Sequence, residues 1–168
     1  MANELNRKAV QLTFLLSTRK RTFGNVLIVS AMEHLSDLDG IEAARRLAAL
    51  SPETQRRFDE SMSIVFTSPE RATQAFTAIG TAIGSKREPI SSANKKRLFD
   101  FAEQLLNHGS GDVMNAVATC MLEQIWNAAR NGGFDFSEVD PYLGPEARAY
   151  LVAWDDFNKT KTPRLRRK

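Results

Sequence analysis

Cysteine, histidine and long apolar runs are scarce in this chain of 168 residues, and each scarcity excludes something. Cys120 is the one cysteine, so no internal disulfide can form, which favours a reducing compartment. His34 and His108 are the only histidines. Neither has a His or Cys at ligand spacing, so no metal site or cofactor is expected. The run Ala9–Leu16 contains Gln11 and Thr13 and leads into Ser17-Thr18-Arg19-Lys20-Arg21 without a small-residue cleavage site, unlike a secretory signal. Val26–Val29 is far too short to cross a bilayer. A cytoplasmic protein with no membrane segment is the expectation. Strand signals are nearly missing as well. Gly24–Ala31 and Ser63–Thr67 are the only candidates, and two short strands make a marginal sheet, so both are read as helix.

Helix signals, by contrast, run the length of the chain. The triplet Ser-Pro-Glu occurs at 51–53 and at 68–70, and Gly144-Pro145-Glu146 repeats it with a weaker cap. Ser is a favoured N-cap, Pro suits the first helical position, and Glu complements the positive end of the helix dipole. Apolar residues then recur at helical spacing: Phe58, Met62, Val65 and Phe66 after the first triplet, and Ala72, Ala75, Phe76, Ile79 and Ile83 after the second. Leu5, Ala9, Leu12 and Leu16 mark a helix over about 3–20, and Ile41, Ala44, Leu47 and Ala48 a short one. Ser92 is placed to cap a helix carrying Leu98, Phe101, Ala102 and Leu105. Asp112 is placed to cap another with Met114, Val117, Met121 and Ile125. Tyr150, Leu151, Trp154 and Phe157 line the last. None of the six prolines interrupts a helical face. The expected fold is all-α: one domain over 1–158 of about seven or eight helices with short connections, then a disordered basic tail over 159–168.

Motifs that carry chemistry are weak. Gly80-Thr-Ala-Ile-Gly84-Ser-Lys86 has three residues between its glycines where a phosphate loop has four, and its Ser precedes the Lys. Close helix packing at two glycines is the plainer reading. Glu33, Asp37 and Asp39-Gly40 lack the donors and closing Glu of a calcium loop, and Asp135 and Asp140 suit turns. Cys120 lies in an apolar helix, the usual setting of an inert packed thiol. Asp155 and Asp156 point about 100° apart on a helix and need not converge on a substrate. No catalytic residue is assigned.

The segment from Glu42 to Phe58, EAARRLAALSPETQRRF, resembles the helix-turn-helix of excisionase-like and MerR-like regulators. There an Ala- and Leu-rich helix enters a turn, and Ser-Pro-x-Thr opens the recognition helix. The resemblance implies that Thr54, Arg56 and Arg57 face phosphates or base edges. It covers about a tenth of the chain and departs from the pattern in three places. The turn glycine is replaced by Ala48 or Ala49, the turn is one residue longer, and Gln55 stands where an apolar residue pins the second helix. An ordinary helical hairpin with solvated arginines is the plain alternative.

Charge is unevenly placed. Residues 159–168 hold six Lys/Arg and no acid, which leaves the rest of the chain with 17 basic against 20 acidic side chains. Such a tail attracts polyphosphate. The candidate nucleic-acid contacts are therefore Arg19, Lys20 and Arg21; Arg56 and Arg57; Lys95, Lys96 and Arg97; and Arg164, Arg166, Arg167 and Lys168. The expected function is a non-enzymatic helical protein associating with DNA or RNA, as a regulator or a small subunit of a nucleoprotein assembly. The alternative is a protein-binding adaptor, inhibitor or immunity-type module whose acidic body docks on a basic partner.

Overall fold

The structure, a computed structural model, describes residues 35–64 and 68–167, with side chains placed for 35–64 and 71–167. Every regular element among them is helical. In chain order they are α1 (Gly40–Ala48), α2 (Pro52–Met62), α3 (Ser68–Ile83), α4 (Ser92–His108) and α5 (Gly111–Ala116). A π-helical stretch (Val117–Leu122) and α6 (Glu123–Arg130) follow, then two 3-10 turns (Phe136–Glu138 and Asp140–Tyr142) and α7 (Pro145–Phe157). The expected all-α class holds. The helix expected over 3–20, the stretch 24–31 and residues 65–67 lie outside the described residues. At 63–64 the chain is turn and bend rather than helix, because α2 ends at Met62 with Ser63 as its C-cap.

Local chemistry explains most helix starts. Asp39 caps α1 by accepting from the Glu42 N–H at 2.8 Å. Ser91 and Ser110 cap α4 and α5, accepting from Asn94 N–H at 3.2 Å and Val113 N–H at 3.4 Å, one and two residues before the caps expected at Ser92 and Asp112. Ser51 precedes Pro52 as the sequence implies, but its hydroxyl donates to the Glu53 carboxylate instead of accepting a backbone N–H. The weakest cap, Gly144, is reinforced from a distance. The Glu103 carboxylate of α4 accepts from Glu146 N–H at 2.7 Å and Ala147 N–H at 3.1 Å, which satisfies the first turn of α7.

Helix α3 runs through the middle of the packing. It lies against α1, α2, the π stretch and α6, while α4 packs on α5 and α7. Leu47, Phe76, Ile79, Leu105, Leu122 and Leu151 are fully buried where these helices meet, each contributing roughly 1.5–3 kcal/mol of burial free energy. The two glycines of the 80–84 motif set how closely the chain at the end of α3 meets the π stretch and α6. A Cβ at Gly80 would lie 2.5 Å from the Met121 carbonyl oxygen, and one at Gly84 would lie 2.8 Å from the Ala128 Cβ. The motif is a helix-packing device, as its spacing suggested.

The carboxyl-terminal segment corrects the expectation of a disordered tail. After α7 the chain turns back at Asn158 and Lys159, and Thr162 and Leu165 are buried against the domain. Residues 160–167 form a docked strap, because buried carboxylates on the domain take their hydrogen-bond donors from it.

Gly80→Ala is expected to destabilise the fold by about 1–3 kcal/mol, since the clash is with backbone and cannot be relieved by a rotamer change. Gly111→Ala, where an added Cβ meets nothing within 4 Å, should leave stability unchanged or raise it by up to about 1 kcal/mol. Paired thermal and urea unfolding of the two variants checks the contrast.

Candidate functional site

The cationic residues singled out as phosphate contacts do not form one exposed patch. Arg19, Lys20, Arg21 and Lys168 lie outside the described residues. Arg56 pairs with Glu60 at 2.7 Å and also with Glu88; Arg57 meets Glu60 at 3.1 Å. Lys95 is buried and holds Glu138 at 2.8 Å, while Lys96 holds Asp100 at 2.6 Å. Arg164 lies 3.8 Å from Asp135, Arg166 pairs with Asp140, and Arg167 reaches Asp155 at 2.9 Å and Asp156 at 2.7 Å. Arg97 is exposed and is the exception among the described candidates in having no carboxylate partner. Thr54, implied as a reader by the helix-turn-helix resemblance, is fully buried, with its hydroxyl donating to the Ala48 and Ser51 carbonyls at 2.8 and 3.0 Å. It packs the α1–α2 hairpin and faces no phosphate.

Two buried aspartates organise the strap. Asp155 has no exposed surface. Its carboxylate accepts from the Trp126 indole at 2.7 Å, the Thr162 N–H and hydroxyl at 2.7 Å each, and the Thr160 hydroxyl at 3.2 Å. Burial alone pushes this carboxyl up. The bonds from Thr162, Trp126 and Thr160 outweigh that and hold it below the usual carboxylate range. Asp140 follows the same balance. Burial raises it, and bonds from Arg148 at 2.5 Å and the Arg166 N–H at 3.0 Å bring it below the ordinary value. Both carboxylates are ionised at neutral pH and are spent on holding the chain together.

A second feature is concave. Helices α1, α3, α5 and α6 and the π stretch enclose a cleft of about 770 Å³, within the roughly 300–1,000 Å³ range of ligand sites. Its lining carries the carboxylates of Asp39, Asp112 and Glu123, the amides of Asn115, Gln124 and Asn127, and the hydroxyls of Thr73, Thr77 and Thr119, with no Lys, Arg or His among the described residues. Thr77 and Thr119 donate their hydroxyl protons to the carbonyls of Thr73 and Asn115, both at 2.9 Å. What these two oxygens keep for the cleft is lone pairs. Glu123 is buried and accepts from the Tyr150 hydroxyl at 2.7 Å. The cleft thus favours donors over acceptors, and cations over anions.

The π stretch presents Thr119 and Cys120 to this cleft, in a local geometry that frequently coincides with functional positions. Burial pushes the Cys120 thiol up. The thiolate needed for nucleophilic attack is therefore disfavoured. Among the described residues no group of three or more His, Cys, Asp and Glu side chains is arranged to hold a metal ion. No described helix is long and apolar enough to cross a membrane. Sequence reasoning did not assemble the cleft. Its residues come from five helical elements, and its one local signal, Thr73 and Thr77 four residues apart, reads as ordinary helix surface.

Residues 44–159 match the model of a family described as Domain of unknown function (DUF7674), and the chain belongs to that family. Comparison with curated proteins and with solved structures gives no match.

The two aspartates make a signed pH prediction. Their folded pKa values are depressed, so the stability they confer is present above the unfolded value near 4 and is lost as pH falls through the lower folded values. Urea unfolding should show a plateau at neutral pH and a decline below about pH 4. Asp155→Ala should remove roughly 3 kcal/mol or more at pH 7, by stranding the Trp126 and Thr162 donors and the Arg167 charge.

Proposed function

We propose that this member of the family is a non-enzymatic protein-interaction module, and that the cleft over the π stretch receives a basic segment of a partner protein. The observation that carries this reading is the lining: carboxylates, amides and spent hydroxyls, with no cationic side chain among the described residues that line it. An arginine or lysine entering the cleft finds acceptors on several walls, and charge-assisted hydrogen bonds to carboxylates are about twice as strong as neutral ones. The mildly anionic balance of the chain before the strap steers a basic partner towards it.

Association with nucleic acid, the first reading of the sequence, draws less support. It rested on a disordered cationic tail, and the described arginines of that segment sit against Asp135, Asp140, Asp155 and Asp156. Exposed ion pairs of this kind are individually weak, but each sets a carboxylate beside a guanidinium that a polyphosphate would otherwise have to itself. Arg97 and its neighbours on α4 are the cations best placed to serve that reading.

The probe is a decapeptide of alternating arginine and alanine, titrated into the labelled protein and followed by NMR. Shifts are expected at the amides of Asn115, Thr119 and Gln124. Asp112→Asn, at an exposed position in the first turn of α5, removes the charge and should weaken the peptide at least about threefold, at a cost in stability of no more than about 1 kcal/mol. A cleft silent to the peptide, together with salt-dependent binding of duplex DNA that shifts the α4 amides around Arg97, would reject the module in favour of nucleic acid.

A further inference from the structure

Basic and acidic side chains are segregated along this chain. Residues 35–158 hold 12 Lys/Arg against 18 Asp/Glu, residues 159–168 hold six Lys/Arg and no acid, and residues 1–34 hold five Lys/Arg against Glu4 and Glu33. An anionic body is thus flanked by two cationic ends. The carboxyl-terminal end lies back on the body, where Arg166 and Arg167 meet Asp140, Asp155 and Asp156. The amino-terminal end joins the body beside the cleft. The described chain begins at Leu35; Leu35 and Leu38 are buried, and Asp39 and Gly40, next in order, line the cleft. Of the cleft carboxylates, Asp112 is exposed and has no ion-pair partner among the described residues.

We propose that Arg19-Lys20-Arg21 of the same chain occupies the cleft when no partner is bound, so that a partner's basic segment has to displace it. This self-docking rests on the cation preference of the cleft, the reading above, and adds its regulation. The triplet is the densest run of positive charge before the body, and no acid lies between Glu4 and Glu33. Reach is sufficient. Asp39 lies 18 positions after Arg21, a span of up to about 60 Å when extended and about 27 Å when wholly helical. The tether gives the triplet an effective concentration of millimolar order at the cleft, so weak individual ion pairs suffice to hold it. A free basic segment then meets only the open fraction of the protein, and its apparent Kd rises by the inverse of that fraction.

Zero-length carbodiimide coupling of the full wild-type chain tests this, because it joins an amine to a carboxylate only where the two touch. Peptide mass mapping should find Lys20 coupled to Asp39, Asp112 or Glu123. A mixture of isotope-labelled and unlabelled protein should place both ends of that link in one chain. No such link, or a link only between chains, overturns self-docking, and this arm needs no variant to fold. The second arm is the full chain carrying Arg19→Gln, Lys20→Gln and Arg21→Gln, with its fold checked by circular dichroism. Its Asn115, Thr119 and Gln124 amides should shift from their wild-type positions with no peptide added, and the arginine–alanine decapeptide should bind it at least about fivefold more tightly than the wild type. Unmoved cleft amides in the folded variant overturn self-docking. A decapeptide that binds both chains equally overturns it too, and leaves the interaction module standing. A decapeptide silent towards both chains, with Lys20 coupled within one chain and the amides shifted, rejects the partner segment and upholds self-docking.

Discussion

A carboxylate with no access to water has to be surrounded by donors, and in this molecule that requirement falls on Asp155. Water would have satisfied several lone pairs, and the protein must replace them or accept a penalty of several kcal/mol. The replacements come from three places: Trp126 on α6, Thr160 and Thr162 on the strap, and Arg167 at its end. A single side chain therefore ties two helices and the carboxyl terminus. The aromatic packing around it follows the same constraint. Trp126 meets Trp154 edge to face at 6.2 Å, and Trp154 stacks on Tyr150 and Phe157 at 6.2 and 5.5 Å. The indole that donates to Asp155 is thus held by Trp154 and by the Arg130 guanidinium, 4.8 Å from its ring centre.

That arrangement changes what the net charge means. Six cations within ten residues look, in sequence, like a surface offered to polyanions. Folded, Arg166 and Arg167 bond from the surface to ionised aspartates, and Arg148 shares Asp140 with Arg166. The chain keeps its formal charge of +3, but the described guanidinium groups of the strap have partners. The concave acceptor-rich surface elsewhere then becomes the distinctive chemical feature.

What could be read from the sequence divides along the range of the interactions. Helix starts were legible because capping is a contact over two or three residues: Ser51-Pro52 and Gly144-Pro145 both stand at the beginnings expected of them. Gly80 and Gly84 were legible as close packing because their spacing matches one helix face. Offsets arose where two capping residues were adjacent or nearly so, as with Ser91 before Ser92 and Ser110 before Asp112. The Glu103 cap on α7 was out of reach, because the residues it joins are 43 and 44 positions apart. The strap was misread for a related reason. A run of lysines and arginines reads as solvated unless the aspartates that receive it are known to be buried, and Asp155-Asp156 looks like an exposed pair in one dimension. The resemblance at 42–58 correctly marked two helices and a turn, but burial of Thr54 turns that local pattern into plain packing.

Helix α6 lines the cleft and is bonded to α7, which carries the strap groove's Asp155, and this couples the two features mechanically. Glu123 lines the cleft and bonds to Tyr150; one turn further along α6, Trp126 bonds to Asp155, five residues beyond Tyr150 on α7. Sliding α6 against α7 would have to break both bonds and disturb the Trp126–Trp154 contact together. Packed interfaces of this kind resist continuous deformation and shift, when they do, between discrete arrangements. The position of Glu123 at the cleft floor is consequently held by the same α6–α7 register that the strap locks through Asp155. Loss of the strap removes four donors from a buried charge, the Thr160 hydroxyl, the Thr162 N–H and hydroxyl and the Arg167 guanidinium, and loosens the wall on which a cleft ligand would rest.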